Sequence, residues 1–283
     1  MGKTAKEYED EINRLRRLVT SLGGDPDAGS AAEGERIVGD LSINQMRALI
    51  QIPPNEFWMG AIEGDDLAFD VEKPRRKVSL TRKFEIGQFL VTQALWESVM
   101  GNNPSYFSGG RRPVESVSWF DCIQFCNRLS EREGLRAAYS GEGNSITCDF
   151  DADGYRLPTE SEWECAARAG EYHLYSGSND VESVAWIDDN SNGETQDVGR
   201  KQSNKFKLFD MSGNVDEWCW DRWQADCTDQ VVDPTGHPTS RGRVFRGGCF
   251  FYVARNSRAS NRFKLDPTDA HYFLGFRVAR TLK

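Results

Sequence analysis

Residues 243–280 constrain this chain more than any other stretch: RVFRGGCFFYVARNSRASNRFKLDPTDAHYFLGFRVAR. Glycine and arginine stand at both edges, and aromatic and mixed polar side chains crowd the middle. Gly247, Gly248, Arg258, Arg262, Pro267 and Gly275 read as a fixed frame. A rigid frame with exchangeable filling suggests binding. Short strands are expected around 243–247 and 275–279. Between them Cys249 to Val253 is an apolar run, and in a strand its alternate side chains would point to opposite faces, leaving some in solvent.

The segment is also basic. Residues 241–283 hold ten Arg and Lys against two Asp, about +8 in a chain of net −9, so the remainder stands near −17. The arginines are expected to pair with acidic loops of the same chain. A nucleic-acid surface is not expected in so acidic a protein.

With 283 residues, 26 Gly and eight Trp, composition favours one large turn-rich domain, α+β or irregular β, over a helical bundle. The seven cysteines are odd in number and lack CxxC or CxxH spacing. MGKTAKEYEDE has no apolar core of an export signal, and no stretch approaches the ~20 apolar residues of a membrane span. The expectation is a cytoplasmic protein with reduced thiols and no membrane contact. Cys122 and Cys126, four apart on one helix face, read as small buried hydrophobes rather than a disulfide.

Along the chain, Tyr8, Ile12, Leu15, Val19 and Leu22 recur at heptad spacing within residues 4–22. Such a helix either pairs as a coiled coil, with a partner or a second copy, or folds onto its own domain. GGDPDAGSAAEGE then reads as a linker. This gives an N-terminal arm over 1–35 and a globular domain over 36–283. IQIPPNEFWMG and RKVSLTRKFEIGQF have strand character. Thr92 is expected to open a helix through Met100, Ser118 a longer one ended by Gly134, and Thr159, with Glu162, a third running to about Ala169. Residues 176–216 have loop composition.

Several motifs recur in order: FWMG (57–60), GYRLPTESEWECAAR (154–168), FDMSGNVDEWCWD (209–221), RVFRGG (243–248) and LGFRVAR (274–280). Together they resemble the formylglycine-generating enzyme, or sulfatase-modifying factor, family over residues 50–283. The resemblance implies an α+β, C-type-lectin-like fold with little regular secondary structure and long loops. Trp163, Trp218 and Trp220 are natural packing anchors for it. Arg156, Arg246 and Arg277 are suited to bridging loop carbonyls and carboxylates.

Catalytic members of that family bind copper through two cysteines, three and eight positions after the GGS motif. With Cys249 in the serine place, those positions are Tyr252 and Ser257, and neither supplies a thiolate. Copper is therefore not expected, and the chain leans away from being an enzyme; an oxidase working through Cys249 is the alternative. The three histidines form no HExxH, and GxSxG, GxxxxGK[ST] and GxGxxG are absent.

The family's calcium pattern falls on Asp210, Gly213, Val215 and Glu217, a set of hard oxygen ligands suited to Ca²⁺. The competing reading is an acidic turn in which Glu217 pairs with an arginine. The C-terminal layout resembles the variable proteins of diversity-generating retroelements, in which a segment framed by RGG and GFR is rewritten and displayed. That implies a non-catalytic protein whose face binds a protein or other macromolecular ligand. The expected contacts are Phe250, Phe251, Tyr252, Val253, Asn256, Phe263, Leu265, His271, Tyr272 and Phe273.

Overall fold

Helices form where a side-chain oxygen can satisfy the first free backbone donors. In the computed structural model, which describes residues 42–225 and 231–283, these helices are Ile43–Met46 (α1), Gln93–Met100 (α2), Trp119–Arg132 (α3), Glu160–Arg168 (α4) and Val181–Val184 (α5). Thr92, Ser118 and Thr159 cap α2, α3 and α4 as their sequence positions predict, each accepting from the backbone N–H three residues on. Ala169 ends α4 in the left-handed conformation. The heptad segment 4–22 and its linker lie outside the described residues.

Strands are short and come from distant parts of the chain. Leu49–Ile52 (β1), Phe84–Gly87 (β4), Tyr155–Arg156 (β7) and Ala279–Thr281 (β13) form one sheet in the order β1-β4-β13-β7. Asp216–Arg222 (β8), Arg243–Arg246 (β10), Arg262–Leu265 (β11) and Leu274–Gly275 (β12) form a second, ordered β11-β10-β8-β12. A third joins Asn55–Met59 (β2), Arg76–Leu80 (β3) and Val231–Val232 (β9), and Tyr139–Ser140 (β5) pairs with Thr147–Cys148 (β6).

The strand expected at 275–279 is therefore two, in different sheets. Arg277 lies between them and turns inward, donating to the carbonyls of Gly87 at 2.9 Å and Phe209 at 3.0 Å. Its neighbours' carbonyls accept from Val91 and Gly87 instead of continuing a β12 ladder.

Trp119, Trp163 and Trp218 are wholly buried, and Trp220 nearly so. The guanidinium of Arg243 lies 3.7 Å from the centroid of Trp119, an arrangement in which the cation rests against the ring's negative face. Cys122 and Cys126 are buried free thiols on α3. Among the described residues no helix is long and apolar enough to cross a membrane.

The C-terminal arginines do pair within the chain, with carboxylates on a helix and on strands as well as in loops. α4 presents Glu160 to Arg262 at 2.6 Å and to Arg246 at 3.4 Å, while Glu164 takes both Arg246 and Arg168. Arg156 meets Glu162 at 2.6 Å, and Arg258 bridges Asp65 and Glu72, each at 2.6 Å. Burial alone would raise the Glu164 carboxyl, but Arg168 and Arg246 outweigh it and hold it below the usual carboxylate range.

Removing one partner of such a pair leaves an uncompensated buried charge. Glu160→Ala takes this carboxylate from Arg262 and leaves Arg246 to Glu164, and it should cost roughly 3–5 kcal/mol, measured by equilibrium urea unfolding against the unchanged protein. A loss below about 1 kcal/mol would mean that these pairs are solvated and do not hold the fold.

Candidate ligand-binding face

The site is set by what happens after β10. Gly247 and Gly248 adopt φ of +104° and +74°, and a Cβ on Gly248 would sit 2.5 Å from the Ser257 hydroxyl. Only glycine fits that turn. Asp216 accepts the Gly248 N–H at 2.9 Å, and the Phe250 N–H reaches Asn214 O at 2.9 Å. The chain is thereby folded back. Residues 249–253 are a turn entering a short 3₁₀ helix at Ala254–Ser257, not the expected strand.

This changes which rings face out. Phe250 is wholly buried, with its ring edge-on to Phe107 at 5.2 Å and its carbonyl held by Ser191 at 2.6 Å. It belongs to the core and not to a face. Val253 is 56% exposed. Phe251, Tyr252, Asn256, Phe263, Leu265, His271, Tyr272 and Phe273 are all half-buried.

The rings are continuous. Phe251 stacks on Tyr272 at 5.6 Å and meets Phe273 edge-on at 5.1 Å. His271 lies parallel to Phe273 at 4.9 Å, and Tyr252 reaches both Phe273 and Phe263 at 6.1 and 6.4 Å. Phe263 in turn stacks on Phe245 at 5.6 Å, which ties this surface to the core sheet. The N–H of Asp188 donates to Tyr252 O; Asp188, its chain neighbour Asp189, and Asp266 next to Leu265 are exposed, as is Lys264 on β11.

Sequence reasoning missed one part of this surface. Tyr106, 75% exposed, lies 5.8 Å from Tyr272, and Phe107 lies 6.3 Å from it. Both come from GNNPSYFSGG, where an aromatic pair set among turn-forming residues was the available signal.

The positions equivalent to the copper ligands carry no thiolate chemistry. Ser257 is buried, its hydroxyl without a hydrogen-bond partner, and Tyr252 is part of the ring surface. Cys249 is wholly buried, and burial, helped by nearby Asp216, pushes its thiol well above the ordinary value. It is protonated at neutral pH and closed to solvent. This donor set does not fit copper.

The calcium pattern is only partly free. Glu217 gives both carboxylate oxygens to Arg277, at 2.6 and 2.8 Å, as the acidic-turn reading expects. Asp210 is different. One oxygen accepts the Gly199 N–H at 2.8 Å, while Oδ1 is buried with no hydrogen-bond partner. Burial pushes this carboxyl up to about 6.

Comparison with known proteins agrees with this geometry. A family model described as the sulfatase-modifying factor enzyme 1-like domain matches residues 37–282. The chaperone protein LppX of Paenibacillus barcinonensis is 35% identical over 234 residues, covering 70% of this chain and 80% of that protein. The formylglycine-generating enzyme of Streptomyces coelicolor is 27% identical over 289 residues, covering 82% and 89%. Among solved structures, Treponema denticola variable protein 1 superposes with a TM-score of 0.77 at 33% identity, covering 83% of this chain and 95% of that one. The sheets, the few short helices and the long loops are the α+β, C-type-lectin-like arrangement of the formylglycine-generating type. The chain belongs to the sulfatase-modifying factor family.

Proposed function

We propose that this protein is a non-catalytic binding protein of the retroelement-diversified type. Its C-terminal ring surface would take a protein partner carrying arginine or lysine among apolar groups. The carrying observation is the continuous half-exposed ring surface of Phe251, Tyr252, His271, Tyr272 and Phe273 on a buried ionic scaffold. Half-exposed rings with polar tips give contact area at little entropic cost. The exposed aspartates complement a basic patch. Two similar proteins support a binding role by their descriptions, one a chaperone and the other a variable protein. The free thiols suit a reducing compartment such as the cytoplasm.

Calcium would rest on Asp210 with the carbonyls of Gly213 and Val215, Glu217 adding only what Arg277 leaves. A buried carboxylate oxygen without a donor is what such a cation would satisfy. The sign of its pH dependence follows from the raised carboxyl. With a folded pKa of about 6 against an ordinary 3.8, stability is full below about pH 4 and falls as pH rises through 6, by about 3 kcal/mol.

Without calcium, the melting temperature should therefore fall between pH 4.5 and 7, and excess calcium at pH 7 should restore it. Asp210→Asn should remove the calcium response and reduce the pH step, of which buried Asp221, pushed up to about 8, keeps its own share. If calcium leaves the wild-type melting temperature unmoved at pH 7, the ion does not bind there.

The face is tested by diversification. Phe251, Tyr252, Val253, Asn256, His271 and Tyr272 are randomised together, and the library is selected against lysozyme, a basic protein. Most clones should stay folded, and binders of micromolar or better affinity should emerge that weaken as salt rises. Phe250→Ala, by contrast, should cost roughly 3–5 kcal/mol in urea unfolding. Clones that unfold as Phe250→Ala does would show that these rings serve the core.

A further inference from the structure

A binding face built only from the C-terminal segment would end at Tyr272, but the ring surface continues onto a strap, residues 102–110, that lies far away in sequence. Tyr106 on this strap is the most exposed of the large hydrophobic side chains described, and it lies 4.9 Å from Phe107 and 5.8 Å from Tyr272. Phe107 beneath it contacts buried Phe250. An exposed aromatic of this size on a free loop would be ordinary. This one is held.

Two buried side chains pin the strap. Gln93, on α2, donates to Phe107 O at 2.6 Å and accepts from the Asn103 side chain and the Gly109 N–H, both at 3.0 Å. Glu115 accepts the Phe107 N–H at 2.9 Å, and its own N–H donates to Ser105 Oγ at 3.3 Å. Glu115 is fully buried, and the hydrogen bonds it accepts come from the strap and from the Ser116 hydroxyl. Burial pushes its carboxyl up. Spending an unneutralised buried carboxylate on a surface strap is unfavourable unless the strap's geometry matters.

We infer that the strap is the fixed wall of the binding face and that Tyr106 is a constant contact residue, shared by partners recognised through different C-terminal side chains. The inference rests on the binding-face reading above. Gln93 and Glu115 are positioning residues: they act through the strap. A rigidly held tyrosine at the edge of an adaptable patch has the character of a binding hot spot, because its area is buried on association without loss of loop entropy.

The experiment uses several independent lysozyme binders from the six-position library, each in the full chain. Tyr106→Ala, Tyr106→Phe and Tyr172→Ala are introduced into every one. Tyr172 is a less exposed surface tyrosine, at 43%, packed on Arg75 at 4.3 Å, and it serves as the control for surface aromatic loss. Tyr106→Ala should weaken binding about tenfold or more in most binders while the melting temperature stays put. Tyr106→Phe should retain most of the affinity, and Tyr172→Ala should leave it unchanged. Binders that tolerate Tyr106→Ala would overturn the strap inference and leave the binding face standing; a library that yields no binders would remove the face itself.

Discussion

A guanidinium taken out of water must find its partners inside, and this requirement organises the molecule. Arg156, Arg246, Arg258, Arg262 and Arg277 are all buried, and every one meets a carboxylate. A fold with short strands has many loop carbonyls to satisfy. The planar donor set of arginine can bind a carboxylate and still reach two carbonyls. Arg246 does this with Glu164, Ala259 and Ser260, and Arg277 with Glu217, Gly87 and Phe209. These bonds are directional, so they fix where loops lie, which apolar burial alone does not.

The same scaffold decides which aromatic side chains are displayed. Asp216 holds the Gly248 N–H and Asn214 O holds Phe250, so the turn after β10 is specified from β8 and the loop before it. That places Phe250 inward and Phe251 and Tyr252 outward, although the three are adjacent. The scaffold and the display are thus separated at a single residue.

Local signals were legible in the sequence and long-range ones were not. The helix starts at Thr92, Ser118 and Thr159 depend on contacts three residues away, and all three form as read. Arg258 could be recognised as frame but not matched to Glu72, 186 residues distant. Strand alternation failed at 249–253 because the paired glycines make a turn there, and periodicity carries no meaning inside a turn. Eight of the ten expected face residues are half-buried and one is exposed. Phe250 could not be told from its neighbours, since an apolar run does not say which member points in. Tyr106 escaped notice because nothing in residues 243–280 points to a loop more than a hundred positions earlier.

Binding and thiolate catalysis make opposite demands on this segment, and its side chains favour the proposed binding. Thiolate chemistry needs accessible sulfur of low pKa. Here the one cysteine after the glycine pair is buried and protonated. The outward positions instead hold large rings that contact one another in a layer. Each ring loses part of its water to its neighbours on folding and has the rest to lose to a partner. On the proposed reading the members of this layer that do not pack on the core, unlike Phe263, Leu265 and Phe273, can change with little penalty to the fold. A surface whose side chains are energetically separable from the core beneath them suits repeated replacement, whereas a catalytic site, whose geometry must be held to fractions of an ångström, does not.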